Sequence, residues 1–261
     1  MYNRHTAAYN SSPPHKRAVC FSALPARRSP PAAPPERLMP HPDDSGQLTL
    51  FDAPALLTRE EAIDALRPLL GRDLRAQSDS YGLTTPGVTP ANKGWAGLTL
   101  ERLLGLSPNN EQAPDFGDWE LKSLPVRRDA RGALVLKGPL TLTLFQPREL
   151  RDQELVESHL WLKARRLLIA VRLYESPEER RSPLLGLAPF DLTGALAEEV
   201  RAEYEALRWL LREQGVAALP SFRGRLLCVQ PRGEGAGWSF SAQRPFLMEA
   251  LKGMMGASRA P

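Results

Sequence analysis

The segment Trp119-Glu120-Leu121-Lys122-Ser123-Leu124-Pro125-Val126 constrains this chain more than any other. Its side chains alternate with a period of two, so Glu120, Lys122 and Leu124 share one face while Trp119, Leu121 and Ser123 share the other. A strand with apolar groups on both faces must be covered on both sides. Glu120 and Lys122 are therefore expected to line a cleft rather than an open surface.

Other elements arrange themselves around that strand. Thr58 and Glu61 have capping-box spacing ahead of Ile63, Leu66 and Leu70, which predicts a helix that stops at Gly71. A second helix is predicted from Asn92 to Leu104, stopping at Gly105. Ala133–Leu136 and Leu140–Phe145 read as strands bounded by Arg131-Gly132 and Gly138-Pro139, which predicts an antiparallel meander with the first strand. The apolar run Leu167–Tyr174 suits a central strand. The longest helix is predicted over Thr193–Gln214, with Leu196, Val200, Tyr204, Leu207 and Leu211 as its buried stripe. A strand over Arg225–Val229 and a helix over Pro245–Lys252 follow. The order implies an α/β domain over residues 57–255, built on a mixed β-sheet flanked by α-helices.

Residues 1–46 have a different composition, rich in Pro, Ser, Ala and Arg with repeated Pro pairs, and read as a disordered Pro/Arg-rich tail. Met39 offers a later start. The formal net charge of +4 permits a polyanionic partner without demanding one. Cys20 and Cys228 lie far apart, which argues against a stabilising disulfide and for a reducing, cytoplasmic setting. No apolar run approaches the roughly 18–20 residues of a membrane span.

Hydrolysis of a phosphodiester needs a hard divalent cation, a water activated beside it and a positive group near the phosphate. Glu120 and Lys122 supply a carboxylate and an ammonium on one strand face, and Asp115, in the preceding turn, can supply a second ligand. Glu-x-Lys is equally a common solvated strand face, so the triplet carries weight through its apolar flanks. Asp118 rivals Asp115, since its parity matches Glu120 if the strand starts early. Glu101, between Leu100 and Leu103 on the second helix, either points at the same cleft or pairs locally on an exposed helix face.

Several blocks in order resemble the MutH mismatch-repair endonuclease family and related GATC-cutting type II restriction enzymes. They are Asn92-Lys93-Gly94-Trp95-Ala96-Gly97, Leu100-Glu101, Leu104-Gly105, Asp115-Phe116 and Glu120 to Val126, then Ser158 to Arg166, Ser182 to Leu185 and the long helix. The resemblance implies a restriction-endonuclease-like fold, a metal site of Asp115 and Glu120 for Mg²⁺ (with Mn²⁺ as a substitute), a catalytic Lys122, an accessory carboxylate at Glu101 and a phosphate-facing Lys163. Lys163 is otherwise one more basic residue beside Arg165 and Arg166. The candidate DNA-contacting cations are Lys93, Lys163, Arg165, Arg166 and Arg232. Two features depart from the family. The Asp115–Glu120 gap is shorter, and the basic residues and tyrosine–lysine group tied to reading GATC and its methylation are replaced by Gln230-Pro231-Arg232 and Gly237-Trp238-Ser239-Phe240-Ser241.

Gln47-Leu48-Thr49-Leu50-Phe51 resembles the peptide by which bacterial repair proteins dock on the sliding clamp; Gln47, Leu48, Leu50 and Phe51 are its contact residues. Apolar residues in a polar tail have no evident core to join; the alternative is that Leu50 and Phe51 staple onto the first helix. Three functions fit the sequence: a Mg²⁺-dependent DNA endonuclease of mismatch or replication-linked repair acting on double-stranded DNA with clamp and mismatch-repair partners, a restriction endonuclease, and a catalytically silent DNA-binding module.

Overall fold

The computed structural model describes residues 56–83, 94–106, 113–176, 180–233 and 237–257. Lys93, the tail and the 47–51 motif lie outside them. Three short helices come first: α1 (Arg59–Leu66), α2 (Leu74–Ser80) and α3 (Trp95–Leu103). The Thr58/Glu61 capping box forms as read, but Pro68 turns the chain into a tight 3-10 turn after Leu66. β1 (Glu120–Arg128), β2 (Leu134–Leu136) and β3 (Leu140–Phe145) are followed by α4 (Pro147–Asp152) and α5 (His159–Ala164). Then come β4 (Arg166–Leu173), β5 (Leu184–Asp191), α6 (Gly194–Gln214), β6 (Leu227–Pro231), β7 (Trp238–Ala242), α7 (Arg244–Ala250) and α8 (Lys252–Ala257).

One sheet has the order β2-β1-β4-β5. β1 runs parallel to β4, while β2 and β5 are antiparallel to their neighbours, so the sheet is mixed. β4 is central and buried almost throughout, as its apolar run predicts. Pro125 sits where β2 has just ended, and its carbonyl accepts from the Lys137 amide.

The register separates two cores. Leu124, Val126, Leu167, Ile169 and Val171 pack with Val200, Tyr204 and Leu207 of α6 and with Phe240 and Phe246. On the opposite face Trp119, Leu121, Leu168 and Ala170 pack with Ala62, Leu66, Leu74, Trp95 and Leu100 of the first three helices. The sheet is thus flanked by helices on both faces, the α/β arrangement expected from the sequence. Arg59, buried at the start of α1, clamps that layer to the end of β5 through two bonds to the Asp191 carboxylate, of 2.8 and 2.9 Å.

The expected meander does not form. β3 leaves β2 and joins a second sheet, β3-β7-β6, which is antiparallel throughout. β2 has only three residues, none of them buried, and offers β3 no apolar face. Leu140, Leu142 and Phe145 bury instead against β7, where the Phe145 and Phe240 rings stack at 4.1 Å. No helix of the described residues is long and apolar enough to cross a membrane.

Candidate active site

The tight turn over Asp115–Trp119 sets the site. The Phe116 amide bonds the Trp119 carbonyl at 3.2 Å, Gly117 adopts a φ of +78°, and the Phe116 and Trp119 rings stack at 4.0 Å. Gly117 is needed there because residues with a Cβ rarely adopt that conformation. The turn aims Asp115 inward and Asp118 outward. Asp118, the rival that strand parity offered if β1 started early, pairs with Arg166 on the exterior, and β1 begins only at Glu120.

Glu120, at the first position of β1, is 1% exposed. One oxygen, Oε2, accepts from the Asp115 backbone amide at 3.2 Å. The other, Oε1, accepts from the ammoniums of Lys122 and Lys163, the latter at 3.2 Å. Lys163 Nζ also lies 3.9 Å from Asp115 Oδ1. It reaches the cleft from the last turn of α5, a helix started by Ser158, whose hydroxyl accepts from the Trp161 amide.

Asp115 holds its proton more tightly than an ordinary aspartic acid, first because burial penalises its charge and then because Glu120 repels it; Lys122, Lys163 and a bond from the Leu121 amide act in the opposite direction. Glu101 on α3 is raised likewise, by burial first and then by Asp115. Glu101 therefore faces the same cluster and is not an isolated surface charge. Three carboxylates stand against two ammoniums, leaving one net negative charge in a largely buried place.

The other candidate cations are dispersed. Arg165 is exposed beside the cleft, and Arg166 is engaged with Asp118, with Glu60 and Asp191 each 3.9 Å away. Arg232, on the turn after β6, bonds Thr141 Oγ1 at 2.7 Å and lines a separate cleft with Gln146, Pro147 and Trp238. The sequence reading assigned no part to Asp191, whose carboxylate anchors Arg59; a contact across 132 positions leaves no local signal.

The cluster suits a hard divalent cation held in part by solvent. Its donors are carboxylate oxygens, the charge is negative, and two carboxylic acids are raised, first by burial and then by a neighbouring carboxylate, Asp115 for Glu101 and Glu120 for Asp115, a repulsion that a cation would offset. No group of three or more His, Cys, Asp or Glu side chains that could hold a metal ion occurs among the described residues. Asp115 and Glu120 are the pair that could hold such an ion, with solvent completing its shell.

Comparison with known proteins covers part of the chain. Residues 81–156 match the MvaI/BcnI restriction endonuclease family, a window that includes Glu101, Asp115, Glu120 and Lys122 and ends before Lys163. The chain is similar to the DNA mismatch repair protein MutH of Shewanella woodyi, 32% identical over 76 residues that make up 28% of this chain and 33% of that protein. It is also similar to the DNA mismatch repair protein MutH of Vibrio cholerae, 30% identical over 93 residues, 34% of this chain and 42% of that protein. The chain thus spans between a third and about two fifths of the length of the curated relatives it matches. Over these stretches the chain is similar to restriction endonucleases of that family and to MutH, and its mixed sheet flanked by helices fits a restriction-endonuclease-like fold.

Proposed function

We propose that this chain is a Mg²⁺-dependent DNA endonuclease that hydrolyses phosphodiester bonds in mismatch or replication-linked repair. The observation that carries the reading is the convergence of Lys122 and Lys163 on the buried carboxylate of Glu120, beside Asp115. Asp115 and Glu120 would hold the cation, which supplies Lewis acidity toward the phosphate and lowers the pKa of a bound water. Lys122, fixed on the rigid strand, orients the attacking water and offsets charge developing on the phosphate. Lys163 would meet the phosphate, and Glu101 would add negative potential to the site. The two apolar cores flanking β1 hold in place the backbone that carries Glu120 and Lys122.

The test is cleavage of supercoiled plasmid in Mg²⁺ with the ends mapped. Lys122→Ala should lower the rate by about 10²–10³, the usual loss of one transition-state-stabilising group. A variant cutting at the wild-type rate would remove Lys122 from the mechanism. A type II restriction endonuclease is the second reading, favoured by the family match over residues 81–156. It calls for double-strand breaks at one short site without helper proteins, whereas a repair enzyme calls for nicks that a partner stimulates. The 47–51 motif belongs to the first reading: a peptide spanning residues 44–55 should bind a bacterial sliding clamp weakly, and replacing Leu50 and Phe51 by Ala should abolish binding. Equal binding by both peptides would exclude the motif as a clamp ligand.

A further inference from the structure

Lys163 and a divalent cation cannot both sit between Asp115 and Glu120, and we infer that Lys163 is the built-in counterion of this site, which the cation displaces and thereby releases to an incoming phosphate. The inference rests on reading Asp115 and Glu120 as metal ligands.

The two lysines on Glu120 are not equivalent. Lys122 lies two residues along the same strand and forms its ion pair with Glu120, while its charge also acts on Asp115 and Glu101. Lys163 comes from another element, with its ammonium 3.2 Å from Glu120 Oε1 and 3.9 Å from Asp115 Oδ1. It thus lies against both of the carboxylates that would hold a cation. A hard cation binds oxygens at about 2.0–2.6 Å. An ammonium in contact with the same oxygens would then crowd the ion with like charge, at a cost that grows in a buried place. Lys163 is near the end of a six-residue helix, followed by exposed Arg165, so its four-carbon stem can swing outward without disturbing the sheet.

Charge explains what the exchange achieves. Without metal, Glu101, Asp115 and Glu120 against Lys122 and Lys163 leave one negative charge, which repels DNA. With a divalent cation present and Lys163 freed, the same groups carry one positive charge, which one phosphodiester neutralises. Cation and phosphate therefore favour each other's binding through Lys163, and the coupling is reciprocal by linkage.

The experiment is calorimetric titration of Ca²⁺ into DNA-free full-length protein, for the wild type, Lys163→Gln and Arg131→Gln. Arg131 lies in the turn after β1, roughly 25 Å from Glu120 along the strand at about 3.3 Å per residue. Lys163→Gln should bind Ca²⁺ about tenfold or more tightly than the wild type, and Arg131→Gln should match the wild type. Ca²⁺ should raise wild-type affinity for a short DNA duplex more than it raises that of Lys163→Gln. In the wild type, Ca²⁺ should also speed acetylation of Lys163 by an amine-reactive ester, read by mass spectrometry, a measurement that needs no variant to fold. Ca²⁺ affinity equal or weaker in Lys163→Gln, or Lys163 acetylation unchanged by bound Ca²⁺, overturns the counterion role while leaving the metal site standing. Absence of Ca²⁺ binding in the wild type overturns the metal site and this inference with it.

Discussion

Replacing Glu120 by glutamine, though nearly isosteric, should damage both stability and cleavage. Oε1 serves two ammoniums and Oε2 serves the Asp115 amide, so all the groups facing this carboxylate are donors. A glutamine has one acceptor oxygen and one NH₂ group. With its oxygen toward the lysines, its NH₂ meets the Asp115 N–H; flipped, the NH₂ meets two ammoniums. Neither orientation satisfies the site. An unsatisfied buried donor costs about 1–3 kcal/mol, and breaking a buried ion pair about 3–5 kcal/mol. The lysine side chains remain 19% and 12% exposed and can turn toward water, which lowers the second figure. The expected loss is about 2–4 kcal/mol, a large fraction of the roughly 5–15 kcal/mol typical of a domain. Urea unfolding followed by tryptophan fluorescence is the assay, since Trp119 is fully buried and adjacent to Glu120. At a slope of about 1–3 kcal/mol per molar urea, the midpoint should fall by about 1–2 M. Adding Lys163→Gln should return part of the loss, because one orphaned ammonium is then gone. An unchanged midpoint for Glu120→Gln would refute the all-donor description of its surroundings.

Three further outcomes follow from the same groups. Glu101→Gln should raise the melting temperature of the metal-free protein at pH 7 but not at strongly acid pH. The folded-state pKa of Glu101 is raised by burial and by Asp115, so stability falls as pH climbs from the ordinary glutamate value through the folded one, and the penalty is complete above it; an equal shift at both pH extremes would contradict this. DNA affinity should fall by roughly 10³–10⁵ between 50 and 200 mM salt if about 6–10 phosphates are contacted, and a flat salt response in a filter-binding assay would count against a nuclease groove. The enzyme should not distinguish methylated from unmethylated GATC, given Gln230-Pro231-Arg232 and Trp238 to Ser241 in the C-terminal region; preferential cutting of unmethylated or hemimethylated GATC over scrambled sites would show otherwise.

The sequence alone determined whatever depends on neighbours a few residues apart. The period of two in β1 put Glu120 and Lys122 on one face, the Thr58/Glu61 box started α1, and the apolar spacing of α6 marked Val200, Tyr204, Leu207 and Leu211 as core. β5 was hidden, because Gly186 and Pro189 read as turn residues although an edge strand tolerates them. β3 looked like the third strand of a meander because pairing across 100 residues has no local signature. The choice between Asp115 and Asp118 was likewise not local: alternation offered Asp118 only if the strand started early, whereas β1 begins at Glu120, after the Gly117 turn and the Phe116–Trp119 stack. Tertiary structure alone brought Lys163 43 positions back onto Glu120 and turned Glu101 toward Asp115, because burial and charge act through space and not along the chain.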